Sequence, residues 1–278
     1  MPPKNPPQLE TLISRARQQG VRHDEQLPFL LTPDKPNGYG VLLVHGFTAS
    51  PREMEPLAQI LTQMGFITMG VRLPGHGTSP EDLAIRHQEE WQQAVEEGYQ
   101  LLRQHTQQIF GVGLSTGSLL LVALAARQQL EGLILLSPFL RVKHRLAPAA
   151  GLLRFIKKYQ SRPVEPELAT IYYDRRPLHG VHQLNRLCRQ VRRLAGQITV
   201  PALLVNGTGD ETVCVDSSLK LFHLLPSPHK IFHLYGPEVG HALTAAENPR
   251  RQELYTLIRQ FLEAWMSPKS HSNTPSET

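Results

Sequence analysis

Apolar segments of strand length alternate with helical segments along most of this 278-residue chain, and this alternation predicts an α/β protein. A second observation fixes the sheet type. Several strand segments, such as Tyr39–His45, are continuously apolar, as in parallel strands covered on both faces. The connections are short, so right-handed crossovers place helices on both sides of a mostly parallel sheet of seven or eight strands.

The elements follow in order. Leu27–Thr32 reads as a strand and Tyr39–His45 as a buried one. Pro51–Met64 reads as a helix with proline in its first turn, and Phe66–Val71 as a strand. The tract PGHGTSP is a loop, Glu89–Gln104 an amphipathic helix, Gln107–Gly113 a strand and Thr116–Gln129 a helix. Leu133–Leu136 is a short strand, after which the rhythm stops until Ala202–Asn206 resumes it. A helix at Ser217–Leu225, a strand at Lys230–Tyr235 and a helix at Arg250–Trp265 complete the core. The predicted organisation is an N-terminal extension over 1–26, a core over 27–137 and 197–266, an inserted helical segment over 138–196, and a polar, disordered tail over 267–278.

Composition narrows the function classes. The two cysteines, Cys188 and Cys214, form no disulfide framework and no metal-ligand spacing, which favours a reduced, cytoplasmic setting. No run approaches the roughly 18 apolar residues of a membrane span. The net charge of +5 comes without a helix-turn-helix, RNP-type or zinc-finger signature, so no nucleic-acid partner is expected. No phosphate-binding or dinucleotide loop appears, and the lone His76 in Gly75-His76-Gly77 offers too few ligands for a metal, so no cofactor is expected.

Chemistry concentrates in Gly113-Leu114-Ser115-Thr116-Gly117, placed between an apolar strand and a helix. A serine on such a sharp turn requires small residues two positions either side, and both are glycine. Its hydroxyl becomes a nucleophile only when a base takes the proton and an acid orients that base. The expected order is Ser, acid, His, each after a strand. Asp210, in the loop after ALLVN, and His241, after KIFHLY, satisfy that order, with Glu211 the next choice of acid and Asp216 close by. The oxyanion donors are expected to be the N–H of Thr116, at a helix start, and that of Phe47, after His45-Gly46. His45 itself reads as a buried, hydrogen-bonded histidine.

HGFTASP, LPGHGTSPEDL, GLSTG, GTGDETV and VGH, in this order, resemble the α/β-hydrolase superfamily, closest to bacterial carboxylesterases and monoacylglycerol lipase or lysophospholipase-like enzymes. The similarity covers about residues 27 to 266. It implies the α/β-hydrolase fold and ester hydrolysis through a serine acyl-enzyme, on alkyl or acylglycerol esters. It also implies Ser115, Asp210 and His241 as the triad, Phe47 and Thr116 as oxyanion donors, and a lid in the insertion. Two positions depart from the usual elbow: Ser118 replaces a second glycine, and Thr116 replaces Met, Leu or Gln. Thioesterase, amidase and acyltransferase chemistry share the same intermediate and stay open, as does a non-catalytic binding module. The insertion carries 13 Lys or Arg against three Asp or Glu, a charge that would favour weak contact of the lid with anionic lipid surfaces.

Overall fold

The computed structural model describes residues 5–143, 149–162, 164, 168 and 170–266. Seven strands form the central sheet: β1 (Phe29–Leu31), β2 (Tyr39–Val44), β3 (Ile67–Val71), β4 (Gln108–Leu114), β5 (Gly132–Leu136), β8 (Ala202–Gly207) and β9 (Lys230–Tyr235). Their order is β1-β3-β2-β4-β5-β8-β9. Only β1 runs antiparallel, against β3; every other pair is parallel. Pairs in sheet order that are not consecutive in sequence require crossovers, which explains the intervening helices.

Side-chain alternation splits each central strand between two cores. Leu42 and Val44 of β2 pack with Trp91, Val95 and Leu119, whereas Val41 and Leu43 pack with Leu57, Leu61 and Ile258. The first core is covered by α4 (Gln88–Arg103), α5 (Thr116–Ala125) and α8 (Val215–Leu224), the second by α2 (Glu55–Gln63) and α9 (Arg251–Trp265).

Some boundaries differ from the sequence reading. The predicted helix over Pro51–Met64 is a 3-10 turn at Pro51–Glu53 followed by α2. Pro56 accounts for the break, since it has no N–H to bond back to the Arg52 carbonyl and is tolerated only in the first turn of a helix. The segment before residue 27 holds an unpredicted helix, α1 (Pro7–Gln18), whose Leu9 is buried in the main core. α3 is a single short turn, Pro80–Leu83, capped by Ser79. The expected tail over 267–278 lies outside the described residues.

The insertion was expected to be helical and is mixed. It holds a short α6 (Ala150–Leu153), the antiparallel pair β6 (Tyr159–Ser161) and β7 (Arg175–Pro177), and the long α7 (Leu178–Leu194). Strands of three residues are too short to leave an alternating pattern. α7 returns to the main core through Leu184, Leu187 and Val191.

Candidate active site

β4 ends at Leu114 and α5 begins at Thr116, so one residue, Ser115, makes the whole turn, with φ 55° and ψ −112°. A non-glycine residue in this region costs about 1–3 kcal/mol and survives only when its surroundings hold it. Here they do. Ser115 N–H donates to the Leu136 carbonyl at 2.7 Å, and the Ser118 hydroxyl reaches the carbonyls of Gly113 at 2.7 Å and Leu136 at 3.0 Å. Ser118, a departure from the usual elbow, thus ties β4 to β5. Neither flanking glycine can be replaced. A Cβ on Gly117 would lie 2.0 Å from the Val44 carbonyl oxygen, and one on Gly113 would lie 2.5 Å from the Gly117 backbone.

Two further loops converge on Ser115. A Cβ on Gly207 or Gly209 would collide with the carbonyls of Val239 or Pro237, at 2.1 and 2.2 Å, so the missing side chains let the two loops approach. His241 Nε2 lies 2.9 Å from Ser115 Oγ, and His241 Nδ1 lies 2.6 Å from Asp210 Oδ2. A carboxylate can only accept, so Nδ1–H donates to Asp210 and Nε2 is left facing the serine hydroxyl. Ser137, itself at φ 45°, donates its hydroxyl to the His241 carbonyl at 2.7 Å and fixes the loop.

Asp210 is fully buried, and its other oxygen accepts N–H bonds from Thr212 at 2.7 Å and Val213 at 2.9 Å. Burial raises its pKa, but the hydrogen bond and charge of His241, with those two N–H groups, outweigh burial and hold it below the usual carboxylate value. Glu211 and Asp216, the other acids nearby, are exposed. Among the acids the sequence left open, Asp210 is the one placed against His241.

The loop after β2 supplies the opposite wall. Phe47 and Thr116 line a cavity of about 230 Å³ together with Ser115 and His241. Its remaining walls are mostly apolar, including Phe139, Val142, Leu178, Val181 and Val213. Thr116 stands at the first position of α5, where a backbone N–H has no intrahelical acceptor. His45 is fully buried: Nδ1 meets the Gly46 carbonyl at 2.9 Å and Nε2 accepts from Leu73 N–H at 3.2 Å. Burial lowers its pKa to about 4, so it stays a neutral structural link between two loops. Gly75 and Gly77 have φ of 81° and 71°, a turn that buries His76 against the rings of His45, Phe47 and Trp91.

The sequence reading missed Glu53. Its side chain is buried, Oε2 accepts from Gly46 N–H at 2.7 Å, and Oε1 accepts from Tyr172 O–H at 2.7 Å. Burial raises its pKa, against the lowering effect of Tyr172 and Gly46. Along the sequence it looks like an ordinary first-turn acid, and nothing local marks it as buried. The insertion reaches the same loop again, since Tyr173 N–H donates to the Thr48 carbonyl at 3.1 Å and Arg162 to the Thr48 hydroxyl at 2.8 Å.

A serine, a histidine and a buried carboxylate in one hydrogen-bonded line, at the carboxyl ends of parallel strands, form an arrangement suited to acyl transfer. The family model described as serine aminopeptidase, S33 matches residues 36–170. A thermostable monoacylglycerol lipase of Bacillus sp. (strain H-257) is 33% identical over 195 residues, 69% of this chain and 78% of that enzyme. The chain belongs to the α/β-hydrolase superfamily. This hydrolase is also 24% identical over 228 residues to a carboxylesterase of Bacillus subtilis (strain 168), covering 80% of the chain and 92% of its relative. The fold matches a solved monoacylglycerol lipase of Paleococcus ferrophilus with a TM-score of 0.72 at 22% identity, over 86% of the hydrolase and 99% of that chain. The mostly parallel seven-stranded sheet is thus the one the sequence predicted.

Proposed function

We propose that this hydrolase cleaves carboxylic esters through a serine acyl-enzyme, with alkyl or acylglycerol esters as substrates. One observation carries the reading: Ser115, His241 and Asp210 stand in hydrogen-bond contact on the floor of an apolar cavity. His241 Nε2 takes the Ser115 proton as Oγ attacks the ester carbonyl carbon. The resulting oxyanion accepts N–H bonds from Thr116 and Phe47, and Asp210 stabilises the imidazolium. Collapse breaks the bond to the alcohol oxygen, which leaves with the proton held by His241. Water, deprotonated by His241, then attacks the acyl-enzyme, and the carboxylic acid and free Ser115 are regenerated. The similarity to a monoacylglycerol lipase and a carboxylesterase supports the same chemistry.

The stretch between β5 and α7 acts in this proposal as a lid, and its outer surface as a weak lipid contact. Leu152, Phe155 and Ile156 are 77%, 78% and 85% exposed, beside exposed Lys157 and Lys158. Exposed apolar side chains rimmed by lysines suit an anionic interface. Flotation with phosphatidylglycerol vesicles should recover the protein and phosphatidylcholine vesicles should recover less; no recovery with either removes the lipid contact. Among the described residues no helix is long and apolar enough to cross a membrane. The two free cysteines support a reduced, cytoplasmic setting.

The test of the activity is a panel of p-nitrophenyl esters of graded chain length, with a thioester and an anilide of the same acyl group beside it. Wild type should turn over the esters best, and a fluorophosphonate probe should label Ser115. Full esterase activity in Ser115→Ala overturns the proposal, and preference for the thioester or anilide moves the substrate class.

A further inference from the structure

The cavity wall carries cations that the acyl-transfer chemistry does not use. β6 and β7 pair so that Gln160 stands opposite Arg176, and both line the cavity, as does Arg162 just beyond β6. Alternation along β7 sends Arg175 the other way, where it pairs with Glu81 at 2.7 Å and lies over the Tyr159 ring. Arg176 differs from three other arginines of the insertion. Arg186 pairs with Glu89, Arg192 donates to the Leu140 carbonyl, and Arg162 donates to Thr48 and stacks on Tyr172 at 4.6 Å. Arg176 has no side-chain hydrogen-bond acceptor or ion-pair partner among the described residues, although it is only partly exposed.

A partly exposed guanidinium that faces a cavity without a protein acceptor is free to donate to a ligand that supplies one. Among the described residues no neighbouring acid does so. Glu53, the one Asp or Glu side chain lining the cavity among the described residues, has both oxygens engaged by Tyr172 and Gly46. Burial, followed by the charge of Arg162, lowers the Arg176 pKa to about 10, with no carboxylate among the described residues raising it. Lys157 also lines the cavity, so three cations of the insertion stand in its wall.

We infer that the cavity selects esters carrying an anionic group, a carboxylate or a phosphate, which Arg176 binds with support from Arg162 and Gln160 while the ester lies at Ser115. The inference rests on the proposed ester hydrolysis and names its substrate class. The anion can enter on either side of the ester bond. A carboxylate would end the acyl chain, as in a dicarboxylic hemiester, whereas a phosphate would sit on the alcohol, as in an acylglycerol phosphate. Both present oxygens in the geometry that a guanidinium fork accepts.

The experiment measures kcat/KM for two matched pairs. One pair is p-nitrophenyl hydrogen adipate against p-nitrophenyl hexanoate, the other hexanoylglycerol phosphate against hexanoylglycerol. Wild type should prefer the anionic member of at least one pair by about tenfold or more, the scale of a charge-assisted hydrogen bond, and the preferred pair assigns the anion to the acyl or the alcohol side. In Arg176→Met that ratio should collapse toward unity, and Arg176→Lys should restore part of it. A purely structural arginine would lower both members together and leave the ratio unchanged, which overturns the inference. So does equal or poorer turnover of both anionic members by wild type. Hydrolysis of the neutral esters that disappears in Ser115→Ala leaves the esterase reading standing in that case; no hydrolysis of any member by wild type defeats both.

Discussion

The floor and the roof of the active site are built differently. The floor is made at the ends of β4, β8 and β9, where Ser115, Asp210 and His241 are held by backbone hydrogen bonds and by contacts that admit only glycine. The roof, between β5 and α7, is held mainly by side-chain pairs such as Tyr172–Glu53 and Arg162–Thr48, beside the backbone bond from Tyr173 to Thr48, and it exposes Phe155 and Ile156. A floor set by backbone geometry tolerates little change and fixes the reaction. A roof set largely by side chains can vary at small cost, and in the proposed lid role it governs what reaches the serine.

The comparison is broken most directly by removing the proposed nucleophile. Ser115→Ala should reduce kcat for p-nitrophenyl butanoate by about 10⁴-fold or more, with Asp210→Asn close to it, because the triad acts as a unit. Circular dichroism should show both variants folded. Next in size is a methyl group in the floor. Gly117→Ala places a Cβ 2.0 Å from the Val44 oxygen, a backbone atom that cannot move aside, and should cost about 3 kcal/mol in urea unfolding. Leu152→Ala in the roof, at a residue 77% exposed, should change stability by less than about 0.5 kcal/mol. Similar costs for the two would erase the distinction.

Glu53 joins floor to roof and has an intermediate effect. Glu53→Leu leaves Gly46 N–H and Tyr172 O–H without their acceptor and should lower kcat by about 10- to 100-fold through displacement of the Phe47 loop. Glu53→Gln keeps an acceptor for Gly46 and should retain activity within about tenfold of wild type. Equal loss in both would assign Glu53's effect to its charge instead.

Acid should loosen the floor. Burial lowers His45 to about 4 and His76 well below 6.5, so the unfolded chain takes up protons below about pH 6.5 that the folded chain refuses. Stability is therefore full above that pH and falls by up to about 1.4 kcal/mol per pH unit for each histidine as pH drops toward the folded values. Glu53, with its raised pKa, acts in the opposite sense and recovers stability as it protonates. Two buried histidines against one acid leave a net loss, which urea midpoints at neutral pH and near pH 5 would register. Unchanged midpoints would contradict it.

What the sequence determined is the part written in local pattern. Continuous apolar strands, the spacing of Gly113, Ser115 and Gly117, and the order of Ser115, Asp210 and His241 after successive strands announce the sheet and the line of side chains across it. These are legible because a parallel sheet forces each strand to be apolar and each functional loop to follow one. Tertiary structure decided the rest. Choosing among Asp210, Glu211 and Asp216 needed the 2.6 Å approach of His241. The burial of Glu53, the return of α7 to the core and the inward turn of Arg176 depend on contacts between residues far apart in the chain. Glu53 meets Tyr172 across 119 positions, and no window along the sequence contains both.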